Sequence, residues 1–369
     1  MKNMYLDINL LQTVPSSNIN RDDTGSPKTA IYGGVPRSRV SSQSWKRAMR
    51  LAFEEETKDA EWLESYRTLK APTILAKKLQ KLDNELSDKD ANEKAEKIFK
   101  AAGIKGLDKN KDTGEYSTKA LLLVSDGQLE KIAKFTLEID KLDKDAAKEI
   151  KNILMGNQSL DLALFGRMVA DNPELNVDAS SQVAHAVSTH EVTPEFDFYT
   201  AVDDVKEDNE SGSAMLGTLE YNSSTLYRYA NVNVRDLMHN LGSKDLTLEG
   251  LKLFIKDFIM TMPTGKENSY ANKTLPQYVL INVRDDTPVN LVSAFETPVN
   301  SNGGYVNASI KRLEAENKNS LKFVDQPIFS IALTSKESKI DNEAQNIDDL
   351  INQTTEFIGQ ELKDEDSND

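Results

Sequence analysis

Residues 17–50 read SNINRDDTGSPKTAIYGGVPRSRVSSQSWKRAMR and combine a turn-rich basic loop with the start of a helix. Residues 1–53 contain eight Lys or Arg and three Asp, a net charge of +5, whereas the whole chain of 369 residues carries −15. A local excess of positive charge in an acidic protein is typical of a surface that binds a polyanion. The segment therefore predicts a nucleic-acid partner.

The second half of this segment predicts an amphipathic helix from residue 41 onward, with Ser41 or Ser42 placed to cap its first turn. Residues three or four apart form its basic face: Gln43, Lys46, Arg47 and Arg50. The opposite, apolar face is formed by Trp45, Ala48, Met49, Ala52 and Phe53. The helix start also favours a bound phosphate. Arg37 and Arg39, in extended chain ahead of the helix, are expected to point to one side.

The pattern outside this segment changes three times along the chain. Residues 5–14 alternate apolar and polar residues, which predicts a half-buried strand. Residues 54–160 are rich in Lys, Glu, Asp, Ala and Leu and predict a helical insert. A polar stretch at 206–217 predicts a mobile hairpin tip, and a helix at 246–262 precedes a strand at 277–283. Together with the helix that begins near residue 41 and a strand at 226–234, the order is strand, helix, long insert, strand, helix, strand. This is the order of a split βαβ, or ferredoxin-like, domain.

Composition excludes several classes of site. The chain has no Cys, which excludes disulfides and thiolate metal sites and fits a reducing cytosol. No apolar run is long enough to span a bilayer, so we expect a cytoplasmic protein without a membrane partner. His185 and His190 are five residues apart, unlike the helical zinc pair, and are predicted to be packed or hydrogen-bonded.

Two acidic pairs, Asp22-Asp23 and Asp203-Asp204, leave an alternative open. Paired carboxylates near a phosphate backbone can hold a divalent metal for phosphodiester cleavage. Adjacent Asp residues more often cap turns or pair with neighbouring arginines, and we favour that structural role here. No metal or other cofactor is therefore predicted.

Several motifs carry a family resemblance: NRDD at 20–23, AIYGG at 30–34, RVSSQSWKRAMR at 39–50, FGRM at 165–168, AHAVSTHEV at 184–192, FYTAVDD at 198–204 and LYRYANVNV at 226–234. In this order they resemble CasC, the backbone subunit that binds guide RNA in Cascade, the type I-E CRISPR surveillance complex. The match extends over nearly the whole chain.

The resemblance implies an α+β fold with an RRM-like, or ferredoxin-like, palm, an inserted helical fingers domain and a β-hairpin thumb, arranged like a right hand. The palm would comprise residues 1–58 and 226–369, the fingers 59–183 and the thumb 195–225. The aromatic RNP1 pattern of ordinary RNA-recognition motifs is absent from the sequence. We therefore do not expect bases to stack on an open sheet face.

The function implied is a non-catalytic role in antiviral defence: several copies assemble as a helical filament along the guide RNA and kink it at intervals for pairing with target DNA. The other implied partners are the large subunit, the small subunit, the guide-processing endoribonuclease and the handle-capping subunit. The alternatives are a metal-dependent endoribonuclease of type III-like complexes that uses Asp22 and Asp23, and a scaffold that binds no nucleic acid.

The predicted contacts follow from charge and from the motif match. Contacts with phosphates and sugars are assigned to Asn20, Arg21, Lys28, Arg37, Arg39, Ser41, Gln43, Lys46, Arg47 and Arg50. Met168 and Tyr199 are the candidates for an apolar wedge that supports a kinked base. Taken alone, both would be read as core residues, and only the motif match suggests the wedge.

Overall fold

The computed structural model describes residues 3–56, 62–156, 158–169, 171–201 and 215–366. The chain divides into two compact units. The first, here called the sheet unit, comprises Met1–Met49, Val183–Asn231 and Lys252–Asp369. The second, the helical unit, comprises Arg50–Gln182 and Val232–Leu251.

The strands are β1 (Tyr5–Ser17), β2 (Thr29–Tyr32), β3 (Val35–Val40), β4 (Ser65–Thr68), β5 (Leu107–Lys109), β6 (Tyr116–Thr118), β7 (Leu122–Ser125), β8 (Ser181–Val183), β9 (Ala186–Ser188), β10 (Glu195–Ala201), β11 (Met215–Asn233), β12 (Tyr278–Arg284) and β13 (Phe329–Thr334). The helices are α1 (Ser42–Glu56), α2 (Ala71–Leu82), α3 (Asp88–Ala101), α4 (Asp126–Glu138), α5 (Lys144–Met155), α6 (Leu160–Phe165), α7 (Val234–Leu241), α8 (Lys244–Met260), α9 (Glu267–Tyr270), α10 (Val306–Ser320) and α11 (Ile347–Asp366). Short 3-10 helices lie at Pro173–Leu175 and Leu291–Phe295.

The sheet unit is built on strands in the order β13-β12-β1-β11-β9-β3-β2. The neighbouring pairs β1–β12, β12–β13, β9–β11, β3–β9 and β2–β3 are antiparallel. β10 pairs with β11 as a long antiparallel hairpin, from Glu195 opposite Tyr221 to Ala201 opposite Met215. Most of the predicted hairpin tip, residues 206–214, lies outside the described residues. The predicted strands at 5–14 and 277–283 are confirmed as β1 and β12.

β1 differs from its prediction as a half-exposed strand because its polar residues are buried too. Asp7 accepts a hydrogen bond of 2.7 Å from the Tyr229 hydroxyl, and Asn9 accepts one of 2.7 Å from Tyr227. β1 lies inside the sheet, with β11 and β12 as neighbours, so partner side chains rather than water satisfy its polar face. Alternation along a strand separates its two faces but does not say whether both are covered.

Both faces of this sheet carry packed side chains. One face packs against α10 and the 3-10 helix at Leu291–Phe295, where the apolar cluster includes Tyr278 and Phe295. The helix predicted at 246–262 is confirmed as α8, and its residues Leu251, Phe254, Ile255, Phe258 and Ile259 are buried. Pro263 follows the helix by three residues, as expected for a residue that cannot continue it.

The helical unit contains the predicted helices and also two small sheets. Its core combines apolar residues of α2, α3, α4 and α5, among them Leu75, Ile98, Leu129 and Ile150. β4 pairs with β7, and β5 pairs with β6. These strands have three or four residues each, too few to interrupt the helical composition from which the insert was predicted. Among the described residues, no helix combines the length and hydropathy needed to cross a bilayer.

Candidate nucleic-acid interface

The β2–β3 hairpin positions the first part of the basic segment. Tyr32 pairs with Val35, so Gly33 and Gly34 form a two-residue turn, with φ values of +60° and +78°. Positive φ at both central residues is the requirement of a tight hairpin turn, and glycine meets it without strain. At Gly33 an added Cβ would lie 1.6 Å from the Glu296 carbonyl oxygen. The two glycines of the AIYGG motif are therefore required by the backbone conformation of this turn.

Arg37, predicted to contact phosphate, is instead fully buried beneath this turn. Its Nη1 donates to the Ser188 carbonyl at 2.9 Å, its Nη2 to the Phe295 carbonyl at 2.9 Å, and its Nε to the Tyr32 carbonyl at 3.1 Å. Burial lowers the pKa of this guanidinium. Because its donors are used within the protein, we remove Arg37 from the set of candidate RNA contacts.

The loop that precedes β2 is closed by its own hydrogen bonds. The Lys28 amide donates to the Asn20 carbonyl at 2.9 Å, and the Asp22 amide donates to the Ser26 carbonyl at 2.9 Å. Asp22 Oδ1 accepts from the Thr24 amide at 2.9 Å, the Thr24 hydroxyl at 2.7 Å and the Ser26 amide at 3.1 Å. These bonds, the one from the Thr24 hydroxyl above all, lower the pKa of Asp22. Asp22 therefore has the turn-forming role that the sequence favoured.

Of the other three residues in the two acidic pairs, the structure describes Asp23. Asp23 is exposed in the same loop. Asp203 and Asp204 lie outside the described residues. Within the part of the chain that the structure describes, no three His, Asp or Glu side chains are grouped as metal ligands.

Three of the predicted contacts lie around one depression in the sheet unit. Asn20, Lys28 and Arg39 line it, together with Val14, Ser17, Ile19, Pro27, Ser38, Val40, Asn222 and Ser224. Arg39 is half-buried, and its Nε donates to the Thr29 carbonyl at 3.0 Å, which holds the guanidinium beside the strand. Arg21 is exposed where the loop begins. Basic and amide side chains grouped at the rim of one small depression suit contacts with phosphate and sugar oxygens.

His185 is a neighbour of this group that charge counting missed. Its Nδ1 lies 3.2 Å from Arg39 Nη1, and its ring is exposed. Burial first, then the charges of Arg39 and Lys28, lower its pKa. The residue belongs to the AHAVSTHEV motif, but only the pairing of β3 with β9 brings it to Arg39. The other motif histidine, His190, is buried and stacks on Tyr305 with ring centroids 3.6 Å apart.

α1 presents part of its predicted basic face. Gln43 and Arg47 are exposed, and Lys46 is half-buried with a pKa lowered by burial. Ser41 is buried and precedes the helix: its amide donates to Asn20 Oδ1 at 2.9 Å, and its carbonyl accepts from the Ser44 amide at 3.0 Å. Asn20 thus joins the depression to the start of α1.

The inner face of α1 is confirmed as apolar, with Trp45, Met49 and Phe53 buried. Arg228, also buried, stacks on the Trp45 ring at 3.7 Å from guanidinium carbon to ring centroid. Its Nη1 donates to Gln12 at 2.7 Å. This stacking fixes the rotation of the helix and therefore the direction of its basic face.

Arg50, the last residue predicted for the basic face, is held by an ion pair. Its Nε lies 2.5 Å from Asp161 Oδ2, which also accepts from the Ser65 hydroxyl at 2.6 Å. Asp161 Oδ1 accepts from Ser159 at 2.7 Å. A guanidinium already paired with a buried carboxylate is not available to phosphate without losing that pair. We therefore remove Arg50 from the candidate contacts as well.

Met168 projects from the helical unit, with 82% of its surface exposed. Gly166 before it has φ +75°, and an added Cβ would lie 2.7 Å from the Val177 carbonyl. Arg167 is buried, with Nη2 donating to the Leu154 carbonyl at 2.8 Å, and burial lowers its pKa to about 10. In the FGRM motif, Gly166 therefore allows the turn, Arg167 is hydrogen-bonded in the interior and Met168 is exposed to solvent.

Tyr199, the second wedge candidate, lies on β10 in the sheet unit. It is half-buried, and its ring packs over Gly217 on β11. The opposite face of this hairpin exposes Phe196, Phe198 and Leu216. Both candidates are therefore reachable from outside, Met168 more so than Tyr199.

Comparison with known proteins supports one family. The profile of the CT1975-like protein family matches residues 6–356. A chain of a solved "CRISPR RNA-guided surveillance complex, pre-nicking" is 32% identical, with a TM-score of 0.82, covering 95% of this chain and 99% of that chain. A chain of a second "CRISPR RNA-guided surveillance complex" is 28% identical, with a TM-score of 0.73 and the same two coverages. A comparison with curated proteins finds no match.

These matches extend over nearly the whole chain, as the sequence motifs do, and the likeness in fold confirms a mixed α/β, antiparallel-sheet architecture. The type I-E subtype stays a prediction. The chain belongs to the CT1975-like protein family, and its fold is that of a chain found in CRISPR RNA-guided surveillance complexes.

Proposed function

We propose that this protein is a non-catalytic backbone subunit of a Cascade complex, and that it binds the sugar-phosphate chain of the CRISPR guide RNA. The observation that carries the proposal is the grouping of Asn20, Lys28 and Arg39 around one depression. Asn20 links this depression to the helix that exposes Gln43 and Arg47. The membership of similar chains in RNA-guided complexes supports the same partner.

The chemistry of this surface suits contacts that position RNA without reading its sequence. Lys and Arg side chains contact phosphate oxygens, which are the same for every base. Sequence reading is left to base pairing between guide and target DNA, as in other RNA-guided systems. The candidate contacts that remain are Asn20, Arg21, Lys28, Arg39, Ser41, Gln43, Lys46 and Arg47. Ser41 is buried, and it contributes by forming the start of α1.

We assign the palm, fingers and thumb of the family to parts of this chain. The RRM-like palm corresponds to the sheet unit without its hairpin, the fingers to the helical unit, and the thumb to the β10–β11 hairpin. Met168 and Tyr199 each serve as an apolar wedge against a base that leaves the guide stack. An apolar group there replaces part of the stacking that such a base loses.

Several copies assemble head to tail along the guide in a type I-E complex. A heterologous interface of this kind produces an open helical filament unless its rotation closes a ring. The length of the guide and the other Cascade subunits limit the filament. The complex acts in the cytoplasm against invading DNA.

The non-catalytic role is proposed in preference to cleavage of RNA by Asp22 and Asp23. Support comes from Asp22 Oδ1, which accepts three hydrogen bonds inside its own loop. A carboxylate that organises a turn in this way loses those bonds if it moves to coordinate a metal.

The test is co-expression of the full-length protein with a guide RNA, followed by measurement of the RNA that co-purifies. We expect RNA of defined length with the wild type and strongly reduced RNA with Lys28, Arg39 and Arg47 changed to Ala together. A matched control changes three exposed lysines of the helical unit to Ala: Lys131, Lys141 and Lys148. Equal RNA retention by the two triple variants, or no RNA with the wild type, would overturn the proposal.

A further inference from the structure

The position of His185 follows from strand register. β3 and β9 pair antiparallel, with Arg39 opposite Val187 and Val40 opposite Ala186. Residues two apart on a strand point to the same side, so His185 lies diagonally across from Arg39 on the same face. The 3.2 Å separation of Arg39 Nη1 and His185 Nδ1 agrees with this register.

The contact with Arg39 determines the state of the imidazole. A guanidinium has only donors, so Nδ1 of His185 must be the acceptor and carries no proton. The ring proton of the neutral imidazole is therefore on Nε2. An exposed ring in this state offers one N–H donor beside the Arg39 guanidinium.

The charges around the ring are of one sign. The charged groups that act on it are Arg39, on β3, and Lys28, which directly precedes β2, and both are cations. Protonation of the ring in the free protein adds a third positive charge and removes the acceptor of the Arg39 bond. A bound anion among Lys28, Arg39 and His185 has the opposite effect: it attracts all three groups and therefore favours the protonated imidazole.

We propose that Lys28, Arg39 and His185 form a phosphate-binding cluster in which a bound phosphodiester is accompanied by uptake of one proton at the imidazole. The proton comes from solvent and attaches to Nδ1, and the Arg39 N–H that pointed there turns to a phosphate oxygen. The inference rests on the proposed function and deepens it, since it makes the grip on RNA sensitive to pH.

The consequence is a specific proton linkage. A group that binds a proton more tightly in the complex than in the free protein strengthens binding as pH falls. Carboxylates elsewhere also lose charge in acid and strengthen binding of a polyanion. The contribution of His185 is therefore the difference between the wild type and a variant that cannot titrate at this position.

The experiment measures the Kd of a labelled single-stranded oligouridine for the full-length protein between pH 8 and pH 5.5 at constant salt. We expect affinity to rise roughly fivefold more for the wild type than for His185→Gln, because one additional proton is taken up. His239→Gln, at the exposed histidine of α7, is the matched control and should follow the wild type. Equal pH dependence in the wild type and His185→Gln would overturn the inference.

A second measurement does not depend on a variant's folding. The chain contains three histidines, so the imidazole NMR signals of labelled protein are few enough to assign. Saturating oligouridine should raise the pKa of His185, and an unchanged or lowered pKa would overturn the inference. Wild type that binds no oligouridine at any pH would overturn the proposed function itself. RNA binding without a response of His185 would overturn this inference alone.

Discussion

Two regions of β3 show how differently the same residue type is used. Around Arg37 the strand is covered by the β2–β3 turn and by Phe295 and Glu296, and the guanidinium donates to backbone carbonyls. Around Arg39, two residues on, the strand lines a small depression beside Lys28, and both cations are half-buried. One arginine holds the hairpin on the sheet, and the other is available to a ligand. Positive charge in a sequence therefore locates an interface only after burial has been taken into account.

The largest effect is expected on stability, when Arg37 in the covered part of β3 is substituted. Arg37→Ala leaves two buried carbonyl groups, those of Ser188 and Phe295, and the partly buried Tyr32 carbonyl without this donor, and should lower the free energy of unfolding by about 3 kcal/mol. Arg39→Ala is the matched control and should cost about 1 kcal/mol or less, since its surroundings are partly open. Urea unfolding of both variants measures the difference. Similar losses for the two would remove the contrast between the regions.

A second prediction concerns a buried acid, Asp7, whose pKa burial raises to about 6. The folded state binds this proton more tightly than the unfolded state, so the contribution of Asp7 to stability is greatest below about pH 4. It is lost as pH rises through about 6, a change of about 3 kcal/mol. Urea unfolding between pH 4 and 7 should show this decrease in the wild type relative to Asp7→Asn. Parallel pH profiles for the two proteins would contradict it.

A third prediction compares RNA binding by Arg39, which lines the depression, with RNA binding by Arg50, which is held in an ion pair. Arg39→Ala should weaken binding of any RNA sequence roughly fivefold and reduce the slope of log affinity against log salt by about 0.7. Arg50→Ala should leave that slope unchanged, because Arg50 is already paired with Asp161. Binding measured from 50 to 300 mM salt tests both. A loss confined to certain RNA sequences would argue against contacts with the backbone.

The smallest effect is expected at Asp22. Asp22→Ala removes hydrogen bonds from an exposed turn, and we expect RNA retention close to that of the wild type. We also expect no cleavage of bound RNA with Mg²⁺ present, before or after the substitution. Cleavage by the wild type that Asp22→Ala abolishes would favour the endoribonuclease alternative.

Much of the local structure could be predicted from the sequence. The register of α1 followed from the spacing of Trp45, Met49 and Phe53, and its burial pattern is confirmed. α8 and β12 were predicted to within two residues at each end. These elements could be predicted because periodicity, caps and proline act over a few residues of chain.

The candidate site was harder to predict from the sequence. Arg37 and Arg50 resembled Arg39 and Arg47 in charge and spacing, yet their partners, such as Phe295 and Asp161, lie far along the chain. His185 was missed for the same reason, because the pairing of β3 with β9 brings it to Arg39. Short-range pattern contains no information on such partners.

The sequence by itself determined where positive charge concentrates, which faces of the helices are apolar and which family the motifs resemble. Those properties depend on residue type and on spacing within a few turns of backbone. Only the tertiary structure decided which cations are buried, paired or open, and which side chains join Lys28 and Arg39. Burial and pairing arise when distant segments meet, so a charge acquires its role from neighbours that the chain supplies more than a hundred residues away.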